Sequence, residues 1–287
     1  MLWLPVMTRS MSFSLIQQLA SGESTEKMPV LFLGHGSPMN AIEDNPFVRG
    51  FRDLKYRLPE PKAILCISAH WETRGTLVTA MEHPRTIHDF GGFPQALYEV
   101  KYPAPGSPEL AATTKQIVRS TTIGLDDQWG LDHGAWTVIK HLYPEASVPV
   151  VQLSLDYTKP PGYHYQLAKE LALLRQKGVL IIGSGNLVHN LGLVAWNQLN
   201  TDDYAFDWAS SASAIIKSHI LNGNHQALVD YRQLGREVLL AIPTPEHFLP
   251  LLYVLGLQEK NEAPELFNDK AVAGSLTMTS VALGLKK

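Results

Sequence analysis

Three apolar runs in this chain each end close to a histidine, and that repetition narrows the folds open to it more than any other feature. Val30-Leu31-Phe32-Leu33 stops at Gly34-His35-Gly36-Ser37-Pro38. Ile64-Leu65-Cys66-Ile67 leads through Ser68-Ala69 to His70, and Val179-Leu180-Ile181-Ile182 leads through Gly183-Ser184-Gly185 to His189. Short apolar runs bounded by Gly and Pro predict buried strands. Glycine on both sides of His35 lets the backbone turn sharply and leaves room beside the imidazole. Strands of an open α/β sheet collect ligands at their carboxyl ends, so all three histidines are expected at one sheet edge. A fourth, His247, lies in Pro243-Thr244-Pro245-Glu246-His247, a turn that opens a helix.

The stretches between these runs have helical spacing. Pro46–Tyr56 follows Asp44-Asn45, and Ser107-Pro108 supplies a cap and a first-turn proline for a helix reaching about Ser120. Helices are also predicted into Tyr143, over Tyr163–Lys177 closed by Gly178, over Asp203–Leu221 and Asn224–Gln233, and over His247–Leu255. Further strands are expected at Thr76–Met81, pairing with Ala63–Ser68, and at Pro149–Leu155, with a closing edge strand, parallel or antiparallel, in Gly274–Leu283. The His83–Tyr102 stretch is too long for a plain connector and reads as a functional loop. Strands alternating with helices give an α/β fold, a three-layer arrangement with a mostly parallel central sheet flanked by helices.

With 287 residues, 45% hydrophobic, the chain can bury a large core, and no Pro/Gly/Ser-rich linker divides it. The expectation is a loosely attached extension over residues 1–27 and one catalytic domain over 28–287. The formal charge of −3 comes without a Lys/Arg cluster, which disfavours nucleic acid as a partner. No apolar stretch is long enough to span a membrane. The single cysteine, Cys66, falls inside a predicted strand as a core residue, which fits a reducing cytoplasm. A monomer is preferred because no exposed apolar stripe is evident.

Taken singly, a histidine is more often structural than a ligand; the strand-end positions of His35, His70 and His189, with His247 in its turn opening a helix, make convergence of the four on one metal centre the expectation. Imidazole donors without thiolate suit zinc, iron or copper, and three neutral histidines leave the cation's charge open to an anionic oxygen ligand. A histidine that does not ligate is suited to moving protons near neutral pH. His133, between Asp132 and Gly134, either presents its ring to this site or caps the helix that follows. His88-Asp89 reads as a turn in preference to a substrate-facing pair, and Ser37 and Ser184 read as turn or cap residues, since neither has a nucleophile-elbow context. His83, His141, His164, His219 and His225 receive no role. Trp71, Phe93, Trp136 and Tyr253 are candidates for an aromatic pocket or for the core.

Several of these pieces together resemble the class III extradiol ring-cleaving dioxygenases, in their DOPA 4,5-dioxygenase branch. The resemblance runs from about Met28 to Leu283 and rests on Leu33-Gly34-His35-Gly36-Ser37-Pro38-Met39-Asn40, Ser68-Ala69-His70-Trp71, Thr86-Ile87-His88-Asp89-Phe90-Gly91-Gly92-Phe93-Pro94, Asp132-His133-Gly134, Gly185-Asn186-Leu187-Val188-His189-Asn190 and Pro243-Thr244-Pro245-Glu246-His247. It implies His35, His70 and His247 as metal ligands, His189 as the acid/base histidine and His133 in contact with substrate or oxygen. It also implies one divalent metal ion, Fe(II) for ring cleavage or Zn(II) as found bound, with a catechol such as DOPA and O2 as substrates. Better-known members of the class use two histidines and a carboxylate, and His247 departs from that set. A zinc-dependent hydrolase and a non-catalytic metal-binding interaction protein are the competing readings.

Overall fold

The central sheet of the structure, a computed structural model that describes residues 26–286, has six strands. Their order is Val150–Gln152, Ala63–Ser68, Val179–Gly185, Val30–Gly34, Ser280–Leu283 and Glu265–Phe267. The first four run parallel, and the last two are antiparallel to their neighbours. Register is tight at the carboxyl ends: Gly34 lies opposite Gly185, and Ser68 opposite Ser184.

Alternate side chains of each strand point to opposite faces, and both faces are covered. Val30, Phe32, Leu65, Ile67, Val179 and Ile181 pack with Leu167, Ile216 and Leu251, which come from the helices Pro161–Glu170, Asp207–Leu221 and Leu249–Gly256. Leu31, Leu33, Ile64, Cys66, Leu180 and Ile182 pack with Phe51, Leu54, Trp136 and Ile139 from the helices Pro46–Lys55 and His133–Leu142. Each such aliphatic side chain, fully withdrawn from water, contributes roughly 1.5–3 kcal/mol before entropy is charged against it. This is the expected three-layer α/β arrangement. The run of continuous apolarity in each strand follows from being covered on both sides.

Several boundaries and pairings differ from expectation. Thr76–Thr79 does not pair with Ala63–Ser68; it forms a separate parallel pair with Ile123–Asp126. The closing strand is antiparallel but not at the edge, because the short strand Glu265–Phe267 pairs on its outer side and takes that place. The Tyr163–Lys177 helix is two helices, Pro161–Glu170 and Ala172–Gln176, separated at Leu171, whose amide closes a tight turn on the Ala168 carbonyl at 3.0 Å. Asn224–Gln233 likewise divides into His225–Val229 and a 3-10 turn, Tyr231–Gln233. His247 lies in the turn ahead of the helix Leu249–Gly256, outside the helix proper. Among the described residues no helix is long and apolar enough to cross a membrane. The preference for a monomer rests on the absence of an exposed apolar stripe, and the structure corrects that premise: Leu191, Leu193, Trp196 and Leu199 are 44–67% exposed within one segment.

The expected extension over residues 1–27 lies, except for Glu26 and Lys27, outside the described residues. Lys27 ion-pairs with Glu262 at 2.9 Å. Glu262 also receives Arg175, a fully buried guanidinium that donates in addition to the carbonyls of Met28 and Leu257 at 2.9 and 2.7 Å. The pair thereby ties the start of the first strand to the turn after the last long helix. Burial alone would raise the Glu262 carboxyl, but the hydrogen bonds from Arg175, the Glu259 amide and Lys27 outweigh it and hold the pKa below the ordinary 4.5. A depressed carboxyl adds stability above its unfolded pKa and loses it as pH falls through the folded value. Urea unfolding followed from pH 7 into the acid range should therefore show stability falling below about pH 4.5, and Glu262→Gln should flatten that limb. Arg175→Met, which leaves the buried carboxylate only Lys27 and the Glu259 amide as partners, should cost about 1–3 kcal/mol at pH 7.

Candidate metal centre

The sheet register sets the site. His35 follows directly on Gly34 and its amide donates to the Gly185 carbonyl at 3.1 Å, while the Ala69 amide donates to Ser184 at 3.0 Å and so fixes the approach to His70. Beyond the third strand, the Asn186 amide donates to the carbonyl of His247 at 2.9 Å, bringing a residue from the far end of the chain against this edge. Only glycine allows it: a Cβ on Gly185 would overlap that same carbonyl. Gly36 turns the chain away at φ +61°, a conformation glycine adopts freely. The space beside Gly34 is taken by the Met278 carbonyl, not by a cavity for a ligand.

The result is a ring of imidazoles. His35 has its centroid 5.0 Å from His70, 5.7 Å from His133 and 5.3 Å from His247. His70 lies 3.9 Å from His133 and 5.0 Å from His247. His189 stacks on His247 at 3.5 Å, nearly parallel. Ligand atoms of His35, His70 and His133 all fall within 4.8 Å of one another, as do those of His189, Glu246 and His247. The structure thus brings all five expected histidines together, with His133 nearer to His35 and His70 than the sequence indicates.

Hydrogen-bond partners assign the tautomers. The Ser184 hydroxyl has one proton, which goes to the Gly134 carbonyl, so its oxygen accepts from Nδ1 of His35 at 3.0 Å. Nδ1 of His133 donates to Asp89 at 2.9 Å, and Nδ1 of His247 to Glu246 at 3.1 Å. All three rings carry a proton on Nδ1, and in His35 and His247, whose pKa burial lowers, the lone pair is on Nε2. That is the arrangement in which an outer oxygen orients a metal-binding imidazole. The Nε2 atoms of His35 and His70 face each other at 3.1 Å. Two facing imidazole nitrogens are satisfied either by one shared proton or by a cation.

Charge points the same way. His35 and His70 are held well below the usual 6.5, first by burial and then by their neighbouring imidazoles. His247 is lowered by burial, with Glu246 opposing, and His189 is pushed down to about 3 by burial and then His247. Burial would raise Glu246, but the His247 hydrogen bond, a backbone amide and Thr244 bring it down to about 2. Asp89 is likewise lowered, burial being outweighed by the hydrogen bonds and charge of His133. At neutral pH neutral imidazoles stand between two carboxylates. Neutral nitrogen donors backed by anions fit a divalent cation.

Two residues read differently from their sequence context. Asp89 is no mere turn: it accepts from both the amide and the ring of His133, at 2.8 and 2.9 Å, and lies 3.5 Å from Nδ1 of His70. His88, beside it, donates to the Val100 carbonyl and holds the loop closed. Ser184 is neither turn nor cap but sits within the third strand. Ser37 does cap the turn Pro38–Ala41. Asp132 caps the helix His133–Leu142 and is held by Ser68, Gln152 and Trp129. Of the aromatic candidates, Tyr253 is core, bonded to His164 at 3.1 Å, and Trp71 stacks on Trp129. Phe93 packs on Phe90, which sequence reasoning missed and whose ring meets His133 edge-on at 5.6 Å. Trp136 donates to the Ile87 carbonyl behind that loop.

The family profile "Catalytic LigB subunit of aromatic ring-opening dioxygenase" matches residues 29–284. A protein of Escherichia coli (strain K12) named 4,5-DOPA dioxygenase extradiol is 48% identical over 91% of this chain and 96% of its own length. One of that name from Beta vulgaris is 38% identical over 87% of this chain and 94% of its own. A crystal structure of the uncharacterized protein JW3007 from Escherichia coli K12 superposes with a TM-score of 0.78 at 42% identity, covering 90% of this chain and all of that one.

Asp89→Asn keeps the side-chain shape but can present an amide donor to His133. The ring proton should then move from Nδ1 to Nε2, which nitrogen-15 NMR resolves, and turnover should fall about 10–100-fold, as for other outer-sphere partners. An unchanged tautomer would show that Asp89 does not orient this ring.

Proposed function

Since the chain belongs to the class III extradiol family of aromatic ring-opening dioxygenases and is an enzyme of that kind, we propose that it cleaves the ring of DOPA at the 4,5 bond, consuming O2 at one histidine-bound Fe(II). The observation that carries this reading is the set of imidazoles gathered at one sheet edge, each with Nδ1 tied to an outer oxygen and two of those oxygens belonging to carboxylates. Support for DOPA as the catechol comes from the names of the relatives. We read residues 28–287 as the catalytic domain.

In this reading His35, His70 and His247 hold the metal, His189 handles protons, and His133 contacts substrate or oxygen. When bound, Fe(II) supplies electronic contact between the catechol ring and O2, which otherwise react slowly. The chain's own residues do the rest. His189, neutral at pH 7, accepts a proton from a catechol hydroxyl and returns it as the ring opens. Stacking on His247 keeps its ring in place during that exchange. Asp89 and Glu246 lock two imidazoles in the tautomer that leaves Nε2 available. Phe90 covers the His133 side with an apolar ring and keeps water from it. Both oxygen atoms enter the product, a muconate aldehyde, and one ring carbon–carbon bond beside the diol breaks.

A second ligand set is favoured by one observation. The nitrogens of His133 group with those of His35 and His70, whereas those of His247 group with His189. Metal content decides between the two. His35→Ala and His70→Ala should abolish metal retention, and His247→Ala should do so while His133→Ala keeps the metal; the reverse outcome for the last two gives the third position to His133.

The function itself is tested by anaerobic loading with Fe(II), followed by DOPA and oxygen. One O2 should be consumed per DOPA with a yellow product, and His189→Ala should retain metal but lose turnover by about 100-fold or more. Ester or amide hydrolysis by the zinc-loaded protein without oxygen uptake would favour a hydrolase.

A further inference from the structure

The helix that begins at His133 ends at Leu142, and its last turn borders a cavity of about 680 Å³. At ~1.5 Å rise per residue the cavity lies roughly 12 Å along that helix from the histidine cluster. Its walls also come from the turn Pro38–Ala41 and the helix Pro46–Lys55. The volume is that of a small-molecule site. Nothing in the ring-cleavage reading uses it.

Cations are in excess here. Arg52, Lys55 and Lys140 line the cavity. Against them stands Asp44, which is already shared between Arg52 at 2.8 Å and Arg49 at 2.7 Å, and the exposed Glu43. Lys140 donates to the Ala41 carbonyl at 2.8 Å and pairs with no carboxylate among the described residues. Burial and then the charge of Arg52 lower its pKa. Lys55 rests 5.5 Å over the Tyr143 ring, its ammonium paired with no acid among the described residues. Ile42, Tyr56 and Pro144 add apolar wall, and Tyr56 is 87% exposed. His141 and Lys140 donate to the Asn40 and Ala41 carbonyls, in the turn whose Asn40 side chain also donates to the His35 carbonyl.

We propose that this cleft binds a phosphorylated small molecule, its phosphate between Lys140, Lys55 and Arg52 and its organic part against Tyr56, Ile42 and Pro144. Three donors of this kind match the oxygens of a phosphate, and such charge-assisted bonds are the strong ones.

The test is calorimetric titration of the metal-loaded full chain with phenyl phosphate at low ionic strength, with inorganic phosphate and phenol as the two halves of the probe. Saturable one-to-one binding is expected, weaker for phosphate alone and absent for phenol. Lys140→Met should weaken it about tenfold or more, the loss of one charged hydrogen bond. Lys55→Met, on a partly exposed helix position, should do the same and guards against a folding defect in the first variant. Binding should persist with a catechol present in excess. No saturable binding, affinity unchanged from the parent protein in both variants, or displacement by the catechol would overturn the proposal.

Discussion

Parallel pairing of Val30–Gly34, Ala63–Ser68 and Val179–Gly185 in one register is the constraint from which the rest follows. Because Gly34 is level with Gly185 and Ser68 with Ser184, the residues leaving these strands emerge side by side. Imidazoles from distant parts of the chain then meet without any long side chain having to reach. A slip of one residue would send alternate side chains to the other face, separating His35 from Ser184 and exposing half of each apolar run. The two helical layers that bury those runs therefore also hold the site, and packing energy is what resists the mutual repulsion and dehydration of so many polar rings.

Negative charge is placed one imidazole away from where a cation would bind. Asp89 and Glu246 touch outer ring nitrogens, so their charge reaches the centre through His133 and His247. An arrangement of two histidines and one carboxylate delivers charge directly. In the proposed centre the donors are imidazoles oriented by the carboxylates, which would leave the inner face open to an anionic catechol.

Most of this was legible in the residues. Continuous apolar runs predict the doubly covered strands, and their endings at His35, His70 and His189 predict the edge where these meet. Pairings between short strands are not legible in the same way: Glu265–Phe267 has only three residues, partly exposed, and carries no strong pattern, yet it displaces the last strand from the edge. Asp89 is disguised by its surroundings, since an Asp two residues ahead of a Gly-Gly pair reads as part of a turn whether or not its carboxylate has a partner elsewhere. The grouping of His133 with His35 and His70 depends on the direction in which the helix after Asp132 leaves the sheet. Local spacing has no bearing on that direction.

Cys66 lies at the middle of the second strand, wholly buried, in the layer that also carries Ile64 and Leu180. Burial, and after it the Asp132 carboxylate, raises its pKa well above the ordinary value. Oxidants and soft metals attack the thiolate and largely spare the thiol. The chain's single sulfhydryl is therefore chemically silent beside a centre whose family handles oxygen, and peroxide escaping from an unproductive cycle would find no sulfur nucleophile there to convert to a sulfenic acid.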